Sequence, residues 1–397
     1  MTGCQHLKQD LDGESTSVPQ SDQNDLPQRV YFVSGFDPRG SSFYYRLFVE
    51  QLKAYAVRTG RPLKVGRRRG QSDPLLSSWH VEEGATNLLE VVFLHWDDIV
   101  RDYWPRSPLV IAWQGLRFSF WYLLRGGLIR IARMCPSVAL CGFYPLLFFG
   151  FFGLVLLVVW LLLRTWLAAI VGGVGAVGLA SLVVLALVPA FWRLADQQGV
   201  VWLFRSILFT HQLGQARDGA LRPRLIELAQ RIVAIERAAP AQRVQLVGHS
   251  SGSFVMAMLA AELRRQPTFD AELQSRLSLL SLGQNLANLA VHKGAVAFHD
   301  DLRTLAAVPR LPWRDITSSD DYLCFASVDP YRSCHIAIEP PAYPQLELID
   351  LAQRLDLTSW WALITNQFPL HFEYLHTAAP EHQGGFDYFE ELLPESR

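Results

Sequence analysis

The chain has 397 residues, 36 Lys and Arg against 37 Asp and Glu for a net charge of −1, and a hydrophobic fraction of one half. That balance, without a clustered basic excess, argues against a nucleic-acid partner, and a charged fraction of 18% is low for a wholly water-soluble protein. Five cysteines (Cys4, Cys135, Cys141, Cys324, Cys334) show no CxxC spacing, so neither a disulfide framework nor a zinc site follows, and a reduced, cytosol-facing compartment fits. There is no HExxH and no P-loop, so no metal and no cofactor is expected.

Residues 1–28 are polar and lack an apolar core segment, which reads as a disordered tail and not a signal peptide. RVYFV (29–33) reads as a strand, SGFDPRG (34–40) as the turn after it, and residues 41–60 as a helix with a glycine stop. KVGRRRG (64–70) is expected to be a solvated loop or a contact for anionic lipid headgroups, and LEVVFLHW (89–96) a second strand. These elements make 29–97 the N-terminal half of a core.

Residues 98–212 form an insertion. Its first part, 109–131, is apolar but broken by Arg117, Arg125 and Arg130, which do not share a helical face. It reads as an interfacial segment anchored by Trp113, Trp121 and Tyr122, or as a cap helix over an active site. Residues 136–163 and 165–192 carry no charged side chain and are separated by Arg164 alone. Each stretch exceeds the roughly 20 residues that span a bilayer, predicting a hairpin of transmembrane helices at about 140–163 and 166–190. No Asp or Glu lies between Tyr103 and Ala195, whereas Arg106, Arg117, Arg125, Arg130 and Arg133 precede the hairpin and Arg193 closes it. The positive-inside rule then puts both flanks and both termini in the cytoplasm, with the hairpin in the inner membrane. Gly172, Ala176 and Ala180 are four residues apart and permit close approach of another helix. That helix is the other arm of the hairpin or belongs to a second copy of the protein.

The remainder, 213–397, returns to strand–helix alternation. Leu221, Leu225, Leu228, Ile232 and Ile235 share one helical face, with Glu227 and Arg231 as an i,i+4 pair. The apolar strand RVQLV follows, then Gly248-His249-Ser250-Ser251-Gly252, then the helical run SFVMAMLAAEL. Further strands are expected at 277–282 and 311–317. Such alternation defines an α/β protein with a mostly parallel sheet and helices on both faces. The insertion is expected at a connection on the sheet edge, where extra chain costs little.

Strand, G-x-S-x-G and helix in that order make a nucleophile elbow at Ser250. On these residues the chain resembles the α/β-hydrolase superfamily of serine hydrolases over roughly 29–97 and 213–397, and its insertion resembles the membrane-anchored bacterial branch more than secreted lipases. The resemblance implies a triad ordered Ser, acid, His. It implies Asp321 as the acid, with Asp320 as runner-up and Asp315 and Asp329 behind them. It implies His371 as the base, with His376, expected inside a following helix, as runner-up. His335, in the strand-like CHIAI, reads as a core histidine, and His249 packs beside the nucleophile. The oxyanion hole would be the Ser251 and Phe36 backbone N–H groups, on a loop braced by an Asp37–Arg39 ion pair. The expected function is hydrolysis of carboxylic esters or thioesters of lipophilic substrates at a lipid bilayer. Acyl transfer is the alternative if Phe36, Trp313, Trp360 and Trp361 dry the pocket, and a non-catalytic membrane scaffold is another.

Overall fold

The β-branched and aromatic run QRVYFV forms β1 (Gln28–Val33), and its alternation reaches two cores at once. Val30 and Phe32 face one cluster, Tyr31 and Val33 the other, as required of a strand covered on both faces. The computed structural model describes residues 26–70, 73–104, 107–124, 127–217, 219–339, 343–378 and 385–394, without the side chains of 108, 109, 112, 119 and 121–124. The tail through residue 25 with Cys4, Arg106, Arg125 and the side chains of Trp121 and Tyr122 lie outside the described residues.

The other strands are β2 (Leu63–Val65), β3 (Arg69–Gly70), β4 (Leu76–Glu83), β5 (Thr86–Leu94), β6 (Val244–His249), β7 (Leu277–Leu282), β8 (Trp313–Thr317) and β9 (Gln345–Leu348). They form one mixed sheet in the order β2-β4-β5-β1-β6-β7-β8-β9, with β3 also on β4. From β5 to β9 along this order every pairing is parallel, while β2, β3 and β5 are antiparallel to β4. The chain is therefore of the α/β class.

On one face α1 (Ser41–Thr59) buries Tyr44, Phe48 and Leu52 against Phe32 and Phe93. Two helices cover the opposite face, burying Leu225, Leu228 and Ile232 from Leu221–Ala238 and Phe254 and Leu259 from Gly252–Arg265. Each such side chain contributes about 1.5–3 kcal/mol on burial. The expected Glu227–Arg231 pair forms at 3.1 Å.

Between β5 and Leu221–Ala238 lie α2 (Pro108–Leu124), α3 (Gly127–Met134), α4 (Pro136–Gln197) and α5 (Val200–Leu213). The insertion does not leave from a sheet edge: β4 flanks β5 on one side and β1 on the other. Backbone hydrogen bonding to β4 extends the sheet beyond β5. KVGRRRG is therefore not the loop expected throughout: Lys64 and Val65 pair with β4 through β2 and Arg69 and Gly70 through β3, because β4 offers its free backbone edge to both.

Helix α4 has 62 residues and is long and apolar enough to cross a membrane, with a mean hydropathy of 2.9 over a window that is wholly unburied. Its helical backbone breaks at Gly172 (φ 78°, ψ 167°). Phe148 and Phe152 meet Phe191 at ring distances of 5.6 and 4.7 Å, and the Trp160 indole N–H donates to the Ser181 hydroxyl at 3.1 Å. Ala176 and Ala180 are buried amid exposed neighbours. Both ends of α4 pack on other elements. Ala139 packs in a cluster with Ala287 and Phe325, and Ala195 in one with Ile111, Val200 and Phe204.

Candidate active site

The site begins with a conformation most residues avoid. Ser250, directly after β6, has φ 57°, in the left-handed region that costs a non-glycine residue about 1 kcal/mol or more. Its N–H is held by the Leu282 carbonyl (2.8 Å), and its carbonyl accepts from the Ser253 N–H (3.0 Å) and hydroxyl (2.6 Å). The glycines two residues away on either side are sterically required. A Cβ on Gly248 would lie 2.6 Å from the Gly252 carbonyl oxygen, and one on Gly252 would lie 2.3 Å from that of Val33. Helix α6 (Gly252–Arg265) starts immediately after, so the Ser251 N–H lies at its positive N-terminal end.

Two of the expected partners meet. Asp321 follows β8, and His371 lies on the short helix Gln367–Phe372. The His371 Nδ1–H donates to Asp321 Oδ2 at 2.6 Å, with both side chains buried. The other carboxylate oxygen of Asp321 accepts from the Leu323 N–H at 2.9 Å. His371 Nε2 is buried with no hydrogen-bond partner among the described residues. His371 and Ser250 line the same cleft. The His249 ring lies 4.9 Å from that of His371 and donates its Nε2–H to the His371 carbonyl at 2.8 Å. Burial, with His371 beside it, holds His249 well below the usual histidine range. It is a neutral support for the loop.

The other candidates are used elsewhere. Asp320 accepts from Ser318 Oγ and the Ala352 N–H, both at 3.3 Å, and Asp329 caps the helix Pro330–Ser333. Asp315 is buried against the Ser281 hydroxyl. His376 pairs with Glu373 at 2.8 Å and follows a single 3-10 turn (Glu373–Leu375) instead of lying within a helix. His335 is not a core histidine: it is exposed in a turn with φ 59°, because the chain leaves Pro330–Ser333 without joining the sheet. Of the four aromatics considered for drying the pocket, Phe36 alone lines the cleft. Trp313 is buried at the start of β8, its N–H on Ser281, and Trp360 and Trp361 are exposed.

The turn after β1 lies against the elbow. A Cβ on Gly35 would be 2.9 Å from Ser250 Cβ and 3.4 Å from its Oγ. The expected ion pair forms, with the Arg39 guanidinium donating to both oxygens of Asp37 (2.8 and 2.9 Å from Nε) and the Tyr44 hydroxyl adding a bond at 3.1 Å. One contact had no signal in the sequence. The Trp202 indole N–H, from α5, donates to the Phe36 carbonyl at 2.8 Å, and its ring packs on Phe368 of the His371 helix at 4.9 Å. Tyr374, also unforeseen, is buried beside Cys324 and Asp321, and that burial and their charge push its phenol well above the usual range.

No protein-family model matches this chain, nor does any curated protein or solved structure.

Proposed function

We propose that this protein is a membrane-anchored serine hydrolase of the α/β-hydrolase type that cleaves carboxylic esters or thioesters of lipophilic substrates. The observation that carries the reading is the left-handed Ser250 sharing one cleft with the buried Asp321–His371 pair, whose Nε2 is left without a partner. A carboxylate only accepts, so Asp321 fixes the proton of a neutral His371 on Nδ1 and leaves Nε2 with a lone pair. His371 takes the Ser250 proton as the oxygen attacks the substrate carbonyl. It returns that proton to the departing alcohol or thiol, and the acyl group stays on Ser250. Water, deprotonated by His371, then releases the acid and restores the serine. The Ser251 and Phe36 N–H groups would carry the oxyanion, each worth about 3 kcal/mol in the transition state.

The membrane reading rests on α4. A straight helix of 62 residues would separate its ends by about 90 Å, yet its first turn packs on Ala287 and Phe325, Asp196 and Gln197 at its end line the Ser250 cleft, and the Phe148–Phe191 and Trp160–Ser181 contacts join its halves. We read it as a transmembrane hairpin turning at Gly172, with the hydrolase core and both flanks in the cytoplasm.

The test is labelling of the purified full-length protein with a fluorophosphonate, wild type against Ser250→Ala. Labelling of the wild type alone is expected. Absence of labelling in folded wild type, or equal labelling of both, would overturn the reading.

A further inference from the structure

We infer that the apolar cavity at Ser250 is an acyl-chain site whose wall is the membrane helix itself, so that the substrate is a long-chain acyl ester or thioester of a polar alcohol or thiol. The inference rests on the hydrolase reading and names the substrate of that site.

Ser250 opens on two cavities of contrasting chemistry. The first, with about 900 Å³ of empty space including its open mouth, is lined by Phe118 and Ile131 of α2 and α3, by Ala139, Phe143 and Leu146 from the first turns of α4, and by Ile207 of α5. Among the described residues that line it there is no Asp, Glu, Lys or Arg. Its polar groups are occupied or neutral. The Asn285 amide donates to the Leu323 carbonyl at 3.0 Å, and burial, with His211 nearby, lowers His292 to about 4. The second cavity contains Asp37, Arg39, Asp196 and His371.

Trp202 lines both and sits between them, held by its bond to the Phe36 carbonyl. Burial of apolar area is worth about 25 cal/mol per Å², whereas an unpaired polar group costs a few kcal/mol. The ester's two ends therefore sort themselves: alkyl chain into the uncharged chamber, polar leaving group into the charged one. Leu146 both lines the first chamber and belongs to the helix whose apolar window is unburied, so the chamber and the apolar segment share one helix. After attack, the O–C or S–C bond breaks, the protonated leaving group departs through the charged cleft, and water enters by the same route.

Gly142 supplies the test. It lines the chamber, and a Cβ built on it meets no atom within 4 Å, so a leucine is admitted at the chamber wall without a clash at its Cβ. With full-length protein in detergent, kcat/KM is measured for p-nitrophenyl butyrate and laurate. Each buried methylene is worth about 0.8 kcal/mol, roughly fourfold in rate, so laurate is expected to exceed butyrate in the wild type. Gly142→Leu, displacing about four carbons, is expected to lower the laurate-to-butyrate ratio at least tenfold, and Ser206→Phe, from α5, likewise. The ratio within one variant does not depend on how much of it is folded. An unaltered ratio in both variants, or a wild type that prefers butyrate, would overturn the inference while Ser250-dependent hydrolysis left the hydrolase reading intact. Without Ser250-dependent hydrolysis of either ester, both fall.

Discussion

Replacing Asp321 by asparagine tests the proton arrangement of the site. In the wild type, Oδ1 accepts from the Leu323 N–H at 2.9 Å and Oδ2 from His371 Nδ1 at 2.6 Å. Asparagine offers one acceptor and one donor. The Leu323 N–H requires the acceptor, so the amide nitrogen turns to His371 Nδ1, which must then accept. The imidazole proton moves to Nε2, the atom that should receive the Ser250 proton. Both local hydrogen bonds survive, so the melting temperature should change by only a few degrees. Activity should not survive. Inverting the tautomer in a serine triad lowers turnover about 10⁴-fold, some 5–6 kcal/mol of transition-state stabilisation. Ester hydrolysis and the rate of fluorophosphonate labelling should fall together, measured beside a thermal melt. A folded variant within tenfold of wild type would refute the claim that Asp321 sets the tautomer.

Gly252→Ala should destabilise the fold by about 3 kcal/mol or more and abolish labelling, because its methyl would lie 2.3 Å from the Val33 carbonyl oxygen and 2.6 Å from that of Ser34. An unaltered thermal melt would contradict the elbow packing. Asp315 predicts a pH dependence. Burial raises its carboxyl to about 8 from 3.8, so between those values the unfolded chain releases a proton that the folded one retains. Stability from this group is full below about 4, falls as pH rises to about 8, and is flat above, with a slope of at most ~1.4 kcal/mol per pH unit. Asp315→Asn should gain on wild type in melts run from pH 5 to 8, and a constant difference would show that Asp315 is already ionised.

The elbow was legible because its constraint is local: a tight turn forces glycines at fixed offsets and leaves a strand before it and a helix after it. The helix faces of 41–60 and 221–239 were legible for the same reason, their periodicity surviving in Ser41–Thr59 and Leu221–Ala238. Asp321 and His371 lie 50 residues apart, and only an ordering borrowed from a resemblance linked them. The antiparallel strands β2 to β4 and the strand β9 were missed. LSSWHVEE and QLEL carry polar residues that mask the alternation, and their strand character comes from a neighbour's backbone. Trp202 left no trace at all. Its role depends on α5 crossing back to the turn after β1, 166 residues earlier.

The order of strands in the sheet dictates the order of events during synthesis. β1 lies between β5 and β6, with Arg29 opposite Glu90 on one side and Val244 on the other. Its first neighbour is made before α4 and its second only afterwards. A nascent chain therefore holds β1 half-covered, with one row of amide and carbonyl groups unpaired, until the whole apolar segment has left the ribosome. Closure of the sheet around β1 waits on synthesis of the apolar segment. The Ser250 turn, which packs on Val33 and Ser34 at the end of that same strand, therefore cannot form before the apolar segment has been made.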